Sequence, residues 1–235
     1  MQTILITGAS GAIGGAFVQY YAQKYTDAVI HAISRADTDF TAPNIKKHII
    51  SDYSEADLTP IADKIDVIDM AIVTNGILCD GDIRPEKSLR DLSEEKFTRL
   101  FAVNTIIPAM LAKVFVPKLN KTNRSVFAAL SARVGSISDN HIGGWYAYRA
   151  SKAALNMIIK NIAIEMGRKN KHAIIVGLHP GTVDSALSKP FQGNVPNGKL
   201  FTPDYSVEKL SHVIEGLTVQ NSGNSFAWDG AEILP

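Results

Sequence analysis

The 235-residue chain reads as an α/β protein. It predicts one domain built on a doubly wound, mostly parallel sheet of about seven strands, with helices on both faces. Three observations predict this. Short β-branched or apolar runs alternate with segments of helical spacing along most of the length. The run over residues 67–74 is apolar almost without a break, as strands covered on both faces are. The first run also leads directly into a glycine-rich turn that opens the first helical segment.

Residues 3–7 are β-branched and apolar, hence a strand. Residues 12–24 carry Ile13, Phe17, Tyr20 and Tyr21 at helical spacing. Second and third strands follow at 28–34 and 47–51, a modest helix at 52–64, and the buried fourth strand at 67–74. A long helical region spans 93–119, with Pro108 and Pro117 as kinks or ends. The fifth strand lies at 126–131, a long helix with a strong apolar face at 145–168, and the sixth strand at 173–178. A last helix at 207–217 and a short strand at 225–228 close the pattern. Residues 184–204 contain Pro190, Gly193, Pro196, Gly198 and Pro203. That segment is long for a connection and reads as a substrate lid. No repeat or low-complexity tract divides the chain, so residues 1–235 are expected to form a single domain.

Composition narrows the partners. Twenty-four Lys and Arg against 23 Asp and Glu leave a formal charge of +1, no footprint for nucleic acid or an anionic membrane surface. Cys79 stands alone, and the six histidines never fall at a close ligand spacing, which argues against a metal site. Asn75, Asn104, Lys113 and Lys160 interrupt the most apolar stretches, and the N-terminus has no basic leader. The expectation is a cytoplasmic protein with a small-molecule substrate.

The turn Thr7-Gly8-Ala9-Ser10-Gly11-Ala12-Ile13-Gly14-Gly15 lies between the first strand and the first helix. There a chain can hold a pyrophosphate on exposed N–H groups and the positive end of the helix dipole. A dinucleotide is therefore expected on Gly8, Ser10, Gly11, Ile13 and Gly14, in a Rossmann fold. At the end of the second strand, Ser34 and Arg35 suit a 2′-phosphate and favour NADP(H). Asp37 and Asp39 follow closely and leave NAD(H) open.

Tyr148 and Lys152 stand four apart on the long helix and so share a face. A neighbouring ammonium favours the phenolate, so the expected effect is a lowered Tyr148 pKa and a phenol able to exchange a proton with an alkoxide.

Together with the glycine turn, this pair resembles the short-chain dehydrogenase/reductase family over nearly the whole chain, and around residues 131–136 and 143–146 its C-factor-like subgroup. The resemblance implies Tyr148 as general acid/base and Lys152 as the group that tunes it and binds the nicotinamide ribose. It further implies that Asp52 reaches the adenine and that Asn75-Gly76 closes the fourth strand beside the cofactor. Asn104 would support a water relay to the lysine, and Pro180, Gly181, Thr182 and Val183 would hold the nicotinamide carboxamide. A homodimer or homotetramer is implied as well. Two departures stand out. The glycine spacing is closer to that of the epimerase-like branch, whose longer C-terminal region this chain lacks. The family's catalytic serine falls at Ala132, one step after Ser131, so either Ser131 takes that role or one donor is missing. The expected reaction is hydride transfer between NADP(H) and a carbonyl or secondary alcohol. The alternative is a nucleotide-sensing or signalling protein with vestigial catalysis.

Overall fold

The computed structural model describes residues 1–235, the side chain of Asn194 excepted. In chain order the elements are β1 (Thr3–Thr7), α1 (Ala12–Lys24), β2 (Val29–Ser34), β3 (Ile45–Ile49), α2 (Glu55–Ala62) and β4 (Met70–Val73). Next come α3 (Glu94–Phe101), a π-helical turn (Ala102–Ile106), α4 (Ile107–Phe115), β5 (Ser125–Leu130) and α5 (Tyr146–Lys169). The chain ends with β6 (Ala173–His179), β7 (Thr182–Val183), β8 (Leu200–Phe201), α6 (Pro203–Gly216), β9 (Ser225–Ala227) and β10 (Glu232–Ile233).

The central sheet runs β10-β9-β6-β5-β4-β1-β2-β3. All its pairings are parallel except β10 on β9. The expected doubly wound sheet is present, with eight strands rather than about seven. The additional one, β10, spans only Glu232–Ile233, too short to leave a period in the sequence. The two-residue β7 and β8 form a separate small sheet for the same reason unseen.

Alternation along the strands sorts the core into two layers. Ile4, Ile6, Ile30, Ile72 and Ala128 pack with residues of α1 and α6 on one face. Leu5, Ile33, Ala71, Val73 and Phe127 pack with residues of α2, α4 and α5 on the other. Several helix starts are capped as their sequences dictate: Ser54, Ser93 and Thr202 each accept a backbone N–H at the N-terminus of α2, α3 and α6.

The helical region expected over 93–119 is broken. A π turn separates α3 from α4, with Ile107 N–H bonded five residues back to the Ala102 carbonyl. Pro108 sits in the first turn of α4 and has no N–H to give the Asn104 carbonyl, so the chain relaxes there instead of kinking. The stretch Glu94–Lys118 nevertheless reaches the length and mean hydropathy (1.7) of a membrane span, despite Asn104 and Lys113; 44% of that window is buried. Here it packs on α2, α5 and β4.

Candidate active site

The strand ends of a doubly wound sheet leave a crevice where ligands sit. In this chain that crevice holds a cavity of about 290 Å³ between Ile13, Asn75-Gly76, Ser131, Tyr148, Lys152 and the segment Pro180–Val183. A shallower groove on the other side of the α1 N-terminus is bordered by Ser10, Gly11, Gly15, Asp37, Asp39 and Phe40.

The glycine turn is built for close approach. Gly8 has φ +72°, and a Cβ on Gly14 would lie 2.2 Å from the Gly8 carbonyl oxygen, so α1 can sit this close to β1 only with glycine there. Gly11 is the N-cap of α1, without a side-chain cap and with no acid in the first turn. An uncapped helix N-terminus between two depressions fits a dinucleotide: the diphosphate on the N–H groups of α1, the two nucleosides on either side. Thr74 Oγ1 donates to the Thr7 carbonyl at 2.7 Å, and Thr7 Oγ1 donates to Asn75 Oδ1 at 2.5 Å, which fixes the turn against β4.

At the outer end, Ser34 is buried and gives its hydroxyl proton to the Ala36 carbonyl at 2.7 Å. Arg35 is exposed and forms no ion pair among the described residues. Asp52 is exposed too; its carboxylate accepts the Ser54 N–H at 2.7 Å, and it lies outside both depressions.

The catalytic end is sealed by comparison. Tyr148, Lys152 and Asn156 follow one another at four-residue steps along α5, one face of one helix. Lys152 Nζ donates to the Leu130 carbonyl at 2.8 Å and lies 6.0 Å from the Tyr148 ring centre. Burial pulls Lys152 down to about 8 and pushes the Tyr148 phenol up to about 12. The lowering of Tyr148 expected from its cationic neighbour is thus outweighed: removing the phenolate from water costs more than the ammonium, 6.0 Å from the ring centre, returns.

Asn104 is fully buried. Its side chain accepts the Ile77 N–H at 2.8 Å, donates to the Ile77 carbonyl at 2.9 Å and donates to Ser151 Oγ at 3.1 Å. It therefore pins the loop after β4 to α5. A Cβ on Gly76 would come within 3.5 Å of both Asn104 Oδ1 and Lys152 Nζ, so the bare glycine keeps the approach to the lysine open. Ser131 lines the cavity, but its hydroxyl donates to Asn156 Oδ1 at 2.6 Å. The Ala132 methyl packs in the cluster that contains Tyr148, Trp145 and Leu78.

Three further residues matter here, two of which, Asn156 and Glu86, the sequence reading passed over. Asn156 was within reach, because it continues the Tyr148–Lys152 spacing by one more turn. Buried Glu86 accepts the Trp145 N–H on its backbone at 2.6 Å and the Ala147 N–H on its carboxylate at 3.3 Å, holding the start of α5; no sequence signal marks it. Trp145 has φ 51°, unlike any other non-glycine residue among those described. That strain, of order 1–3 kcal/mol, turns the indole into the cavity wall against Phe191, ring centres 5.0 Å apart.

The segment expected as a lid has internal structure. β8 pairs with β7, and a 3-10 helix spans Lys189–Asn194. Leu187, Ser188, Phe191 and Val195 from it line the cavity.

The model of the short chain dehydrogenase family matches residues 2–195. The chain belongs to that family. C-signal of Myxococcus xanthus is 32% identical over 62% of this chain and 82% of its own length. A 1-hydroxy-2-glutathionyl-2-methyl-3-butene dehydrogenase of Rhodococcus is 28% identical over 98% of both chains. Among solved structures, the NADPH-bound carbonyl reductase from chicken fatty liver superposes with a TM-score of 0.84 at 22% identity, covering 100% of this chain and 94% of that one. Carbonyl reductase Sniffer of Drosophila melanogaster gives 0.84 at 22% over 100% of both. At that identity the two structures speak for the fold alone. The family named from the residues is the one the comparison shows, and with it a nicotinamide-dependent oxidoreductase.

Proposed function

We propose that this short-chain dehydrogenase is an NADP(H)-dependent carbonyl reductase whose proton donor is Tyr148. The observation that carries the reading is the cavity itself: one buried phenol and one buried ammonium on α5 face an uncapped helix N-terminus across a single space. The NADP(H) preference rests on Ser34 and Arg35 at the end of β2 and draws support from relatives whose structures hold NADPH or NADP.

Gly8, Ser10, Gly11, Ile13 and Gly14 would take the diphosphate end, and Asn75, Gly76, Lys152 and Pro180–Val183 the nicotinamide end. Bound there, the nicotinamide supplies or accepts the hydride. The chain's own part is to hold the substrate oxygen and move the proton. With its pKa near 12, Tyr148 keeps its proton at neutral pH and is ready to give it to a developing alkoxide. Asn104 keeps the loop at Gly76 and the turn of α5 next to Lys152 in register. Ser131 belongs to the site as a wall residue; it donates to a substrate only if its hydroxyl proton leaves Asn156 Oδ1, for example by the amide turning to present Nδ2–H to Ser131 Oγ.

The apolar wall of Leu78, Val134, Trp145 and Phe191 suits a ketone or aldehyde with a bulky apolar body. Residues 184–204 would close over it, and amide exchange there should slow on adding NADPH with substrate. The test is NADPH oxidation on a panel of carbonyl compounds. Turnover supports the reading. Tight NADPH binding with no turnover on any of them favours the nucleotide-sensing alternative, for which Ala132 speaks.

A further inference from the structure

His179 ends β6, one position beyond the Leu130–Leu178 pair, and so stands beside Ser131 where the Ser131 N–H bonds to the Leu178 carbonyl at 2.8 Å. Its ring lines the cavity. Among the described residues, Nδ1 is sealed from solvent without a hydrogen-bond partner, which is not true of Nε2. A buried N–H without a partner is rarer than a buried lone pair without one, so the proton belongs on Nε2, the nitrogen that faces the open space. Burial holds the ring near pKa 4, with Arg133 adding to the effect and Asp229 opposing it. The imidazole is therefore neutral over the working range and presents one N–H.

Two hydroxyls of the same lining are already used. Ser131 gives its proton to Asn156, and Ser188 gives its own to the Val183 carbonyl at 2.5 Å. Ala132 has none to give. Arg133 is half-exposed and turns towards Asp139 at 3.9 Å.

We propose that His179 touches the substrate: its Nε2–H is the second hydrogen-bond donor to the carbonyl oxygen that Tyr148 protonates, on the wall where Ala132 offers nothing. This rests on the carbonyl-reductase reading. A donor of this kind carries no charge, so it stabilises the growing negative charge on oxygen without competing with Tyr148 as an acid.

The test compares three variants on whichever carbonyl compound the parent reduces, each at saturating NADPH. His179→Phe keeps the ring and loses the donor; kcat should fall about 10²-fold, the scale of losing one oxyanion donor, with the dissociation constant for NADPH unchanged. His179→Gln returns an amide N–H near the Nε2 position and should recover at least about tenfold of that loss, whereas His179→Asn, whose amide reaches only the Nδ1 position, should not. Parent-like kcat in His179→Phe, beside an inactive Tyr148→Phe, overturns the proposal and leaves the reductase reading intact. A loss confined to NADPH affinity overturns it as well. Full activity in Tyr148→Phe overturns both. Should the variants fail to fold, nitrogen-15 spectra of the parent decide. The His179 Nε2–H signal should shift when a non-reducible carbonyl analogue joins the NADP⁺ complex, and an unmoved signal contradicts the assignment.

Discussion

The two ends of the crevice solve opposite problems. Around β1, α1 and β2 the site is shallow, its ligand groups are mostly backbone N–H, and its side chains are small or exposed. Around β5, α5 and β6 it is enclosed, and its groups are side chains removed from water: Asn104, Ser131, Tyr148 and Lys152 are all buried. An anion that arrives with its own charge needs only a positive helix end and room to approach. A proton transfer needs groups whose protonation the protein decides, and burial decides it here, lifting Tyr148 and lowering Lys152. One end is specified by where a Cβ is absent, the other by where water is absent.

That contrast can be broken at either end. The largest expected effect is at Gly14. A Cβ there meets the Gly8 carbonyl at 2.2 Å, backbone that cannot swing aside, so Gly14→Ala should cost about 1–3 kcal/mol in denaturant unfolding and abolish NADPH binding. Gly11→Ala, whose Cβ would sit 3.3 Å from the same carbonyl, should cost far less, and equal losses would contradict the packing argument. Next is Arg35→Ala, which should weaken NADPH by about 1.5–3 kcal/mol, a ten- to hundredfold change by titration, while NADH affinity hardly moves. Equal affinity of the parent for both cofactors would remove the 2′-phosphate role.

The smallest effect lies at the far edge of the sheet. His31 Nδ1 and His48 Nε2 are 2.9 Å apart with their rings stacked. Burial and mutual repulsion hold His31 near 4, and burial with nearby lysines lowers His48. The unfolded chain binds protons from about pH 6.5 downwards while the folded one does not. Stability from these groups is thus complete above pH 6.5 and is lost as pH falls through about 4. The melting temperature should drop across that window, and less steeply in His31→Leu.

The open end was the more legible in the sequence. Gly8 and Gly14 stand six residues apart at the first strand-to-helix junction, and of the seven longer strands all but β3, Ile-Lys-Lys-His-Ile, left an apolar run. What stayed hidden depended on distance along the chain. Glu86 meets the start of α5 from some sixty residues away, and nothing local distinguishes it from a surface acid. β7, β8 and β10 are two residues each, below any periodicity. Pro108 marked the place of the break between α3 and α4, but the π form of the turn left no signal in the sequence. The sign of the Tyr148 shift was misjudged for a related reason: the Lys152 spacing is visible in the chain, whereas the depth at which both sit is a property of the packed cavity.

The central claim is that Tyr148 supplies the proton in a reaction whose hydride comes from the nicotinamide. Tyr148→Phe tests it most directly, because the ring keeps its packing and loses only the hydroxyl. At equal NADPH occupancy, established by binding, the variant should reduce the parent's best carbonyl substrate about 10²–10⁴-fold more slowly. Reduction at the parent's rate would contradict the account.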